Sequence, residues 1–272
     1  MTGKLYQFNY QIIGREDSPK LLFIHGFMGD LVDWKEVVEL LRDRYQCLIL
    51  DLPGHGRTQV FKVRGFQFTE CVSGITDLLQ HLKFYPAFIV GYSMGGRIAL
   101  HLTLNSPNLV NAVVLESASP GIKDKVERAE RRKHDLQLAS QLQLEWPDFL
   151  YSWYDQPLFT ATRLHRKFFK LLQRRMNNNP QHLALVIEGM GQGAQPSLWN
   201  QLADVHTPVH ILAGKQDSKY VNLTAKMAKR LPNCSRILVE GCTHNIHFED
   251  PRRFTAELEN IIENLSKQNL KH

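Results

Sequence analysis

Short runs of apolar residues alternate with helix-like segments over the first part of the chain. Four of these runs are continuous rather than alternating, which is typical of strands buried on both faces of a parallel sheet. Amphipathic helical patterns lie between them, at residues 34–44, 68–82 and 95–104. The repeated order of strand and helix predicts βαβ units and an α/β fold. The four apolar runs are residues 21–24, 47–50, 87–90 and 112–115.

The alternation stops in the middle of the chain, where long polar and charged helical stretches replace the strands. Prolines divide this segment into about four predicted helices. Strand patterns resume at 209–213 and 235–239, and a last amphipathic helix covers residues 251–265. We therefore expect a mostly parallel sheet with helices on both faces and a helical lid inserted after the sixth strand. The predicted boundaries are 1–118 and 197–272 for the core and 119–196 for the lid.

A short glycine-bounded motif follows the third apolar run. Residues 91–95 read Gly-Tyr-Ser-Met-Gly between a predicted strand and a predicted helix, which is the context that this motif requires. Ser93 would lie on a strained turn, so the residues two before and two after it must lack side chains. The turn directs the hydroxyl out of the sheet, and we predict Ser93 as the nucleophile.

Two backbone amides are expected to bind negative charge beside this serine. His25, Gly26 and Phe27 follow the first core strand, and an N–H in this position joins the N–H after the nucleophile. We predict the Phe27 and Met94 N–H groups as an oxyanion hole that stabilises charge developing on a substrate oxygen. His25 itself is predicted to hold the loop.

The acid and the base are expected after the insertion, since the chain order in this arrangement is serine, acid, histidine. A tight turn after one late strand carries Asp217, and the loop after the next strand carries His244. His244 would take the Ser93 proton, and Asp217 would orient the imidazole. Asp51 is a rival acid, but it precedes the serine and belongs to a loop framework. His247 is a rival base that would line the site or cap the turn.

Composition places the chain among ordinary soluble globular proteins, with 43% hydrophobic and 22% charged residues in 272. The net charge is +6, and residues 119–196 hold 12 Lys and Arg against 8 Asp and Glu. Most of the excess therefore lies in the predicted lid. A solvated helical face and an anionic ligand explain this excess about equally well.

Several classes of function are not favoured by the sequence. Basic residues do not interleave with aromatic ones, so nucleic-acid binding is not expected. No apolar run is long enough for a membrane helix, and the first residues lack the apolar region of a secretory signal. The cysteines and histidines show no metal-ligand spacing. We expect a cytoplasmic monomer or weak homo-oligomer that needs no metal or other cofactor and binds a small molecule.

Together the motifs resemble the α/β-hydrolase superfamily over the whole chain apart from the insertion. A narrower resemblance depends mainly on motifs of the insertion and points to the 2-succinyl-6-hydroxy-2,4-cyclohexadiene-1-carboxylate (SHCHC) synthases of menaquinone and phylloquinone biosynthesis. One departure is Thr243, where the family usually has glycine before the histidine. The motifs are GYSMGGR, ERAERR (127–132), WYDQPLF (153–159), RRMNNN (174–179), GKQDSKY and HNIHFEDP.

This resemblance implies a lyase. Its substrate, SEPHCHC, is a cyclohexene with an enolpyruvyl ether, a ring carboxylate and a succinyl group; a proton is removed from carbon and pyruvate leaves. The serine would act as a base relayed through the histidine, and the oxyanion hole would hold the enolate of the succinyl ketone. Arg97, about one helical turn after Ser93, suits this polycarboxylate. The other substrate-binding residues that the resemblance implies are Arg131, Arg175, Tyr92 and Trp153.

Other interpretations are compatible with the same motifs. Tyr92 could instead pack under the lid, and Trp153 could belong to the lid core. A serine hydrolase (an esterase, thioesterase or C–C hydrolase) acting on a small carboxylate-bearing substrate would use the same triad. A binding protein on this fold can retain the triad without turnover. The sequence also leaves open whether Ser93 is a base or a covalent nucleophile.

Overall fold

The computed structural model describes residues 5–269 of the chain. Within these residues the strands are β1 (Tyr6–Gln7), β2 (Tyr10–Gly14), β3 (Lys20–Ile24), β4 (Gln46–Leu50), β5 (Gln59–Val60), β6 (Ala87–Tyr92), β7 (Val110–Glu116), β8 (Val209–Gly214) and β9 (Cys234–Val239). The α-helices are α1 (Lys35–Leu41), α2 (Phe68–His81), α3 (Met94–Asn105), α4 (Lys125–Leu144), α5 (Phe149–Tyr154), α6 (Thr160–Leu164), α7 (Phe168–Arg175), α8 (Pro180–Met190), α9 (Ser218–Ala228), α10 (Ile246–Glu249) and α11 (Pro251–Asn269).

Seven strands form one sheet in the order β2-β4-β3-β6-β7-β8-β9. The edge strand β2 runs antiparallel to β4, and the remaining neighbours are parallel. The four continuous apolar runs lie in β3, β4, β6 and β7, which are almost completely buried. The prediction of an α/β fold with a mostly parallel sheet is confirmed.

Helices cover both faces of the sheet, because each face presents its own row of apolar side chains. One face packs against α2, α3 and α9. The other packs against α1 and the carboxyl-terminal helix α11, where Phe254 and Leu258 are fully buried. Burial of such side chains is the main favourable contribution to folding, at about 25 cal/mol per Å² of apolar surface. None of the helices described has an apolar stretch long enough to span a bilayer.

The helices α4 to α8 lie between β7 and β8 and share a third apolar cluster, to which Met28 of the core also belongs. They fall inside the predicted lid boundaries of 119–196, and the division into core and lid stays a prediction. The insertion follows β7, which is the seventh strand in chain order and the fifth strand of the central sheet, and not the sixth on either count. The two counts differ by two because β1 and β5 pair in a separate two-stranded sheet.

The parallel strands carry the predicted site residues to one edge. Phe27 follows β3, Ser93 follows β6, Asp217 follows β8 and His244 follows β9. Because carboxyl ends of parallel strands meet at the same edge of a sheet, these residues converge although they are far apart in sequence.

Candidate active site

The turn between β6 and α3 has the geometry of a strained elbow. Ser93 adopts φ 50° and ψ −109°, a conformation that non-glycine residues rarely adopt. A Cβ on Gly91 would lie 2.5 Å from the Gly95 carbonyl oxygen, and a Cβ on Gly95 would lie 2.2 Å from that of Ile24. Both positions therefore require glycine, and the packing that excludes a side chain holds the serine on the turn.

Three side chains from three loops form one hydrogen-bonded chain. His244 Nε2 lies 3.2 Å from Ser93 Oγ, and His244 Nδ1 lies 2.8 Å from Asp217 Oδ2. Asp217 also caps α9, because its Oδ1 accepts a hydrogen bond from the Tyr220 N–H at 3.2 Å. Asp217 and His244 are both buried, so this pair is held away from water. The geometry suits transfer of the serine proton to an imidazole that a carboxylate orients.

The rival residues are engaged elsewhere. His247 donates its backbone N–H to Glu116, and its Nδ1 lies 2.7 Å from the same carboxylate. Its ring stacks on Trp34 with centroids 4.0 Å apart. The Asp51 carboxylate accepts hydrogen bonds from two backbone N–H groups of its neighbouring loops. The structure therefore places His244 and Asp217, and neither rival, in the chain that ends at Ser93.

The two predicted oxyanion donors lie on the wall of the same cavity. Phe27, Met94 and Ser93 all line it, and neither amide donates to an acceptor among residues 5–269. The preceding loop is held by His25, whose Nε2 accepts from the Leu52 N–H at 2.9 Å. Burial lowers the pKa of His25, so its ring is neutral and acts as a loop support.

The cavity above Ser93 has a volume of about 120 Å³ and is partly open to solvent. The insertion contributes much of its wall, and the His244 N–H donates to the Leu158 carbonyl at 3.3 Å. The wall is aromatic on one side and charged on the other. Within the described chain, no group of three or more His, Cys, Asp or Glu side chains could hold a metal ion. The charged side is formed by Arg97, Arg131, Asp135 and Lys219.

Arg97 reaches this wall from α3, where it is buried beneath the insertion. Its Nη1 donates to the Met190 carbonyl at 3.0 Å and to Gln195 Oε1 at 2.9 Å. Its Nε and Nη2 make no hydrogen bond with a described residue, which leaves donors for a ligand. Burial lowers the pKa of Arg97 to about 10, so the guanidinium is still charged at neutral pH.

Arg131 reaches the cavity from α4, but an acid already neutralises much of its charge. Its Nε donates to Asp135 Oδ1 at 2.6 Å, and its Nη1 donates to Gln192 Oε1 at 2.9 Å. Asp135 is almost fully buried and also accepts from the Gly193 N–H at 2.8 Å. Arg131 is therefore positioned for a carboxylate, but the neighbouring Asp135 carboxylate offsets part of its positive charge.

Arg175 does not line the cavity, so the structure does not bring it together with the triad, and its contact with substrate stays a prediction. Its Nη2 lies 2.9 and 2.8 Å from the two oxygens of Asp33, and its Nε donates to the Tyr154 hydroxyl at 3.2 Å. Burial alone would raise the pKa of Asp33, but Arg175 and Arg174 hold it below its usual range. A buried carboxylate needs such a partner, so Arg175 ties α7 to the loop after β3.

We expect the substitution Arg175→Met to lower the free energy of unfolding by about 2 kcal/mol, because the buried Asp33 carboxylate loses two hydrogen bonds and keeps only Arg174 as a charged partner. Urea unfolding of the variant measures this loss. The double variant Asp33→Asn/Arg175→Met should recover part of it, since the buried carboxylate is then absent. An unchanged unfolding midpoint together with a tenfold or larger rise in KM would instead assign Arg175 to the substrate.

Tyr92 and Trp153 differ in their positions. The Tyr92 ring lies behind the site, 5.5 Å from the His244 ring and 4.9 Å from the His247 ring between centroids. It is buried and does not line the cavity, so the predicted ligand contact is not formed and the alternative of packing describes it better. Trp153 is on the wall, edge-on to Phe27 with centroids 5.3 Å apart.

Other wall residues were not singled out from the sequence. Lys219 and Tyr220 lie two and three residues after Asp217 in the GKQDSKY motif, so their closeness in sequence to the acid was an available signal. Gln156, Leu158 and Phe159 follow Trp153 in the WYDQPLF motif, so their closeness to a predicted site residue was a signal too. Gln192 had no comparable signal, because its contact with the core depends on how the helices fold back. The wall residues in question are Lys219, Tyr220, Gln156, Leu158, Phe159 and Gln192.

A serine, a histidine and an aspartate joined in this order at the carboxyl edge of a mainly parallel sheet define an enzyme of the α/β-hydrolase class. Residues 19–251 match the family described as alpha/beta hydrolase fold. The chain is 33% identical over 245 residues to the putative SHCHC synthase of Bacillus subtilis (strain 168), covering 89% of each chain. It is 34% identical over 251 residues to the SHCHC synthase of Escherichia coli O1:K1 / APEC, covering 92% of this chain and 96% of that one.

Solved structures also show the α/β-hydrolase fold. MenH from S. aureus superposes with a TM-score of 0.89 at 30% identity, covering 98% of this chain and 100% of that one. A thermophilic esterase from Thermogutta terrifontis has a TM-score of 0.86 at 21% identity, covering 97% of this chain and 96% of that one, which shows the shared fold alone. The chain belongs to the alpha/beta-hydrolase fold family and, within it, to the family of the SHCHC synthases.

Proposed function

We propose that the protein is a lyase that eliminates pyruvate from SEPHCHC to give SHCHC, a step of menaquinone biosynthesis. The observation that carries this proposal is that the triad and two arginines share one cavity. It is supported by the sequence comparison, since the chain is about one third identical to named SHCHC synthases over about nine tenths of its length. A polycarboxylate needs cations close to the reacting carbon, and Arg97 lies one turn along the helix that begins after Ser93.

The proposed reaction begins with proton removal from carbon. His244 accepts the Ser93 proton, and the serine oxygen takes the proton from the substrate carbon. The electron pair left on carbon moves onto the succinyl ketone oxygen, where the Phe27 and Met94 N–H groups stabilise the enolate. Asp217 keeps the imidazole oriented and stabilises its cation.

Collapse of the enolate then breaks the carbon–oxygen bond to the enolpyruvyl group. The electron pair of that bond leaves with the enolate of pyruvate, and the proton held by His244 is transferred to this enolate as it becomes pyruvate. The substrate loses one molecule of pyruvate and gains a second ring double bond, so no oxidant or reductant is required. In this sequence Ser93 carries a proton and forms no covalent intermediate.

The compartment and assembly state belong to the same proposal. All four cysteines are unpaired thiols, which fits a reducing compartment such as the cytoplasm. We infer that the enzyme works there as a monomer or weak homo-oligomer on a small polycarboxylate.

The direct test supplies SEPHCHC to the purified protein and follows pyruvate through a coupled lactate dehydrogenase assay. We expect pyruvate release well above the rate without enzyme. A parallel reaction with a p-nitrophenyl ester tests the serine-hydrolase alternative, because both reactions would use the same triad. Clear ester turnover without pyruvate release would replace the lyase by a hydrolase.

A further inference from the structure

The charge on the cavity wall is smaller than three arginines would provide. Arg175 is committed to Asp33, and Arg131 is paired with Asp135. The proposed substrate carries three carboxylates, one on the ring, one on the succinyl group and one on the enolpyruvyl ether. With two arginines on the wall, one of these carboxylates lacks a cation.

Lys219 is the wall residue that can supply the missing charge. It lies in the first turn of α9, two residues after Asp217, whose carboxylate caps that helix. The backbone that carries Lys219 is thus fixed by the same residue that orients His244. Among described residues no acidic side chain forms an ion pair with it, and its Nζ lies 5.9 Å from the centre of the Tyr220 ring.

Lys219 lies at the mouth of the cavity. A second pocket of about 650 Å³ adjoins the first and shares with it Arg131, Gln192, Lys219 and Tyr220. These four residues therefore form the junction between the reaction cavity and the solvent side. A flexible lysine at this junction can follow an anionic group as it enters and pair with it once bound.

We propose that Lys219 is a specificity-determining residue that binds the substrate carboxylate left uncovered by Arg97 and Arg131. This inference rests on the proposed function, since it depends on a ligand with three carboxylates. Lys219 is itself exposed, so solvent screens the interaction and the effect is smaller than for a buried ion pair.

Lys226 provides a matched control. It lies two turns further along α9 and lines the outer pocket, but it does not line the reaction cavity. Neutralising either lysine removes the same charge from the same helix. A difference between the two variants therefore reports contact with substrate rather than the general field of the protein.

The experiment compares Lys219→Gln, Lys219→Arg and Lys226→Gln by initial rates of pyruvate release. For Lys219→Gln we expect KM to rise about tenfold, as for a lost charge-assisted hydrogen bond, with kcat within about threefold of the wild type. Lys219→Arg should restore most of the affinity, and Lys226→Gln should change KM less than about twofold. Raising the ionic strength should weaken substrate binding less in Lys219→Gln than in the wild type.

Failure of this inference is distinguishable from failure of the proposed function. Wild-type protein that releases no pyruvate overturns the function itself. Wild-type protein that releases pyruvate while Lys219→Gln keeps its KM, or changes it no more than Lys226→Gln does, overturns the role of Lys219 alone. Thermal unfolding of each variant checks that the fold is unchanged, which its exposed position predicts.

Discussion

Replacing Ser93 with alanine is expected to lower kcat for pyruvate release by about 10³-fold while substrate affinity stays close to that of the wild type. The substitution removes only the oxygen that lies 3.2 Å from His244 Nε2, and the cations of the wall are untouched. Stopped-flow or coupled assays measure kcat, and calorimetry on the inactive variant measures the dissociation constant. Loss of affinity equal to the loss of rate would mean that Ser93 binds substrate and does little else.

Ser117 offers a matched control for this substitution. Like Ser93 it is a serine with a positive φ, 48°, that follows a strand, here the neighbouring β7, but it is fully buried and does not line the cavity. Ser117→Ala should leave kcat within about twofold of the wild type, since it removes a hydroxyl of similar backbone conformation away from the chemistry. A comparable loss of rate in both variants would attribute the effect to the fold.

The same reaction distinguishes a base from a covalent nucleophile. If Ser93 carries only a proton, intact-mass measurement of the protein quenched during turnover should show the unmodified mass. A mass increase that disappears in Ser93→Ala would establish a covalent intermediate and exclude the proton-relay mechanism proposed above.

The parts of the site that sequence predicted are those set by local pattern. The elbow at Ser93 is specified by Gly91 and Gly95, because their missing side chains allow the close backbone approach that the turn requires. Asp217 follows the buried strand β8 and His244 follows the partly buried edge strand β9, so the order of elements fixed their edge of the sheet. Their convergence with Ser93 could be predicted from the parallel arrangement of the strands alone, because the carboxyl ends of parallel strands lie at the same edge of a sheet.

The partner of Arg175 could not be predicted in this way. Asp33 lies 142 residues earlier in the chain, and nothing near either residue indicates the other. Two adjacent arginines in the insertion were equally compatible with a ligand carboxylate and with a buried protein carboxylate. The choice depends on how α7 packs against the loop after β3, which is a property of the tertiary structure.

The misplacement of Tyr92 has a different cause. The tyrosine is the last residue of β6, and successive side chains of a strand point to opposite faces. Its ring therefore packs against Gly26 on the side away from the cavity, where a Cβ on that glycine would lie 2.7 Å from it. The edge strand β2 was also missed, because its residues are mostly exposed and carry no buried-strand pattern.

The variants His244→Ala and His247→Ala are expected to lose different properties, activity in the first and stability in the second. His244→Ala should lower kcat by about 10³- to 10⁴-fold and leave the protein folded, since it removes the group that takes the Ser93 proton. His247→Ala should lower the free energy of unfolding by about 3 kcal/mol, because the fully buried Glu116 carboxylate loses its side-chain partner and keeps only the backbone N–H of residue 247. Rates per folded molecule and urea unfolding separate the two effects.

The comparison depends on the charge at Glu116, so a second variant checks it. In Glu116→Gln/His247→Gln the buried carboxylate is absent, and part of the stability lost in His247→Ala should return while kcat stays near that of the wild type. The three side chains of the catalytic chain are unchanged in this variant. Turnover that survives in His244→Ala but disappears in folded His247→Ala would move the base to the other histidine.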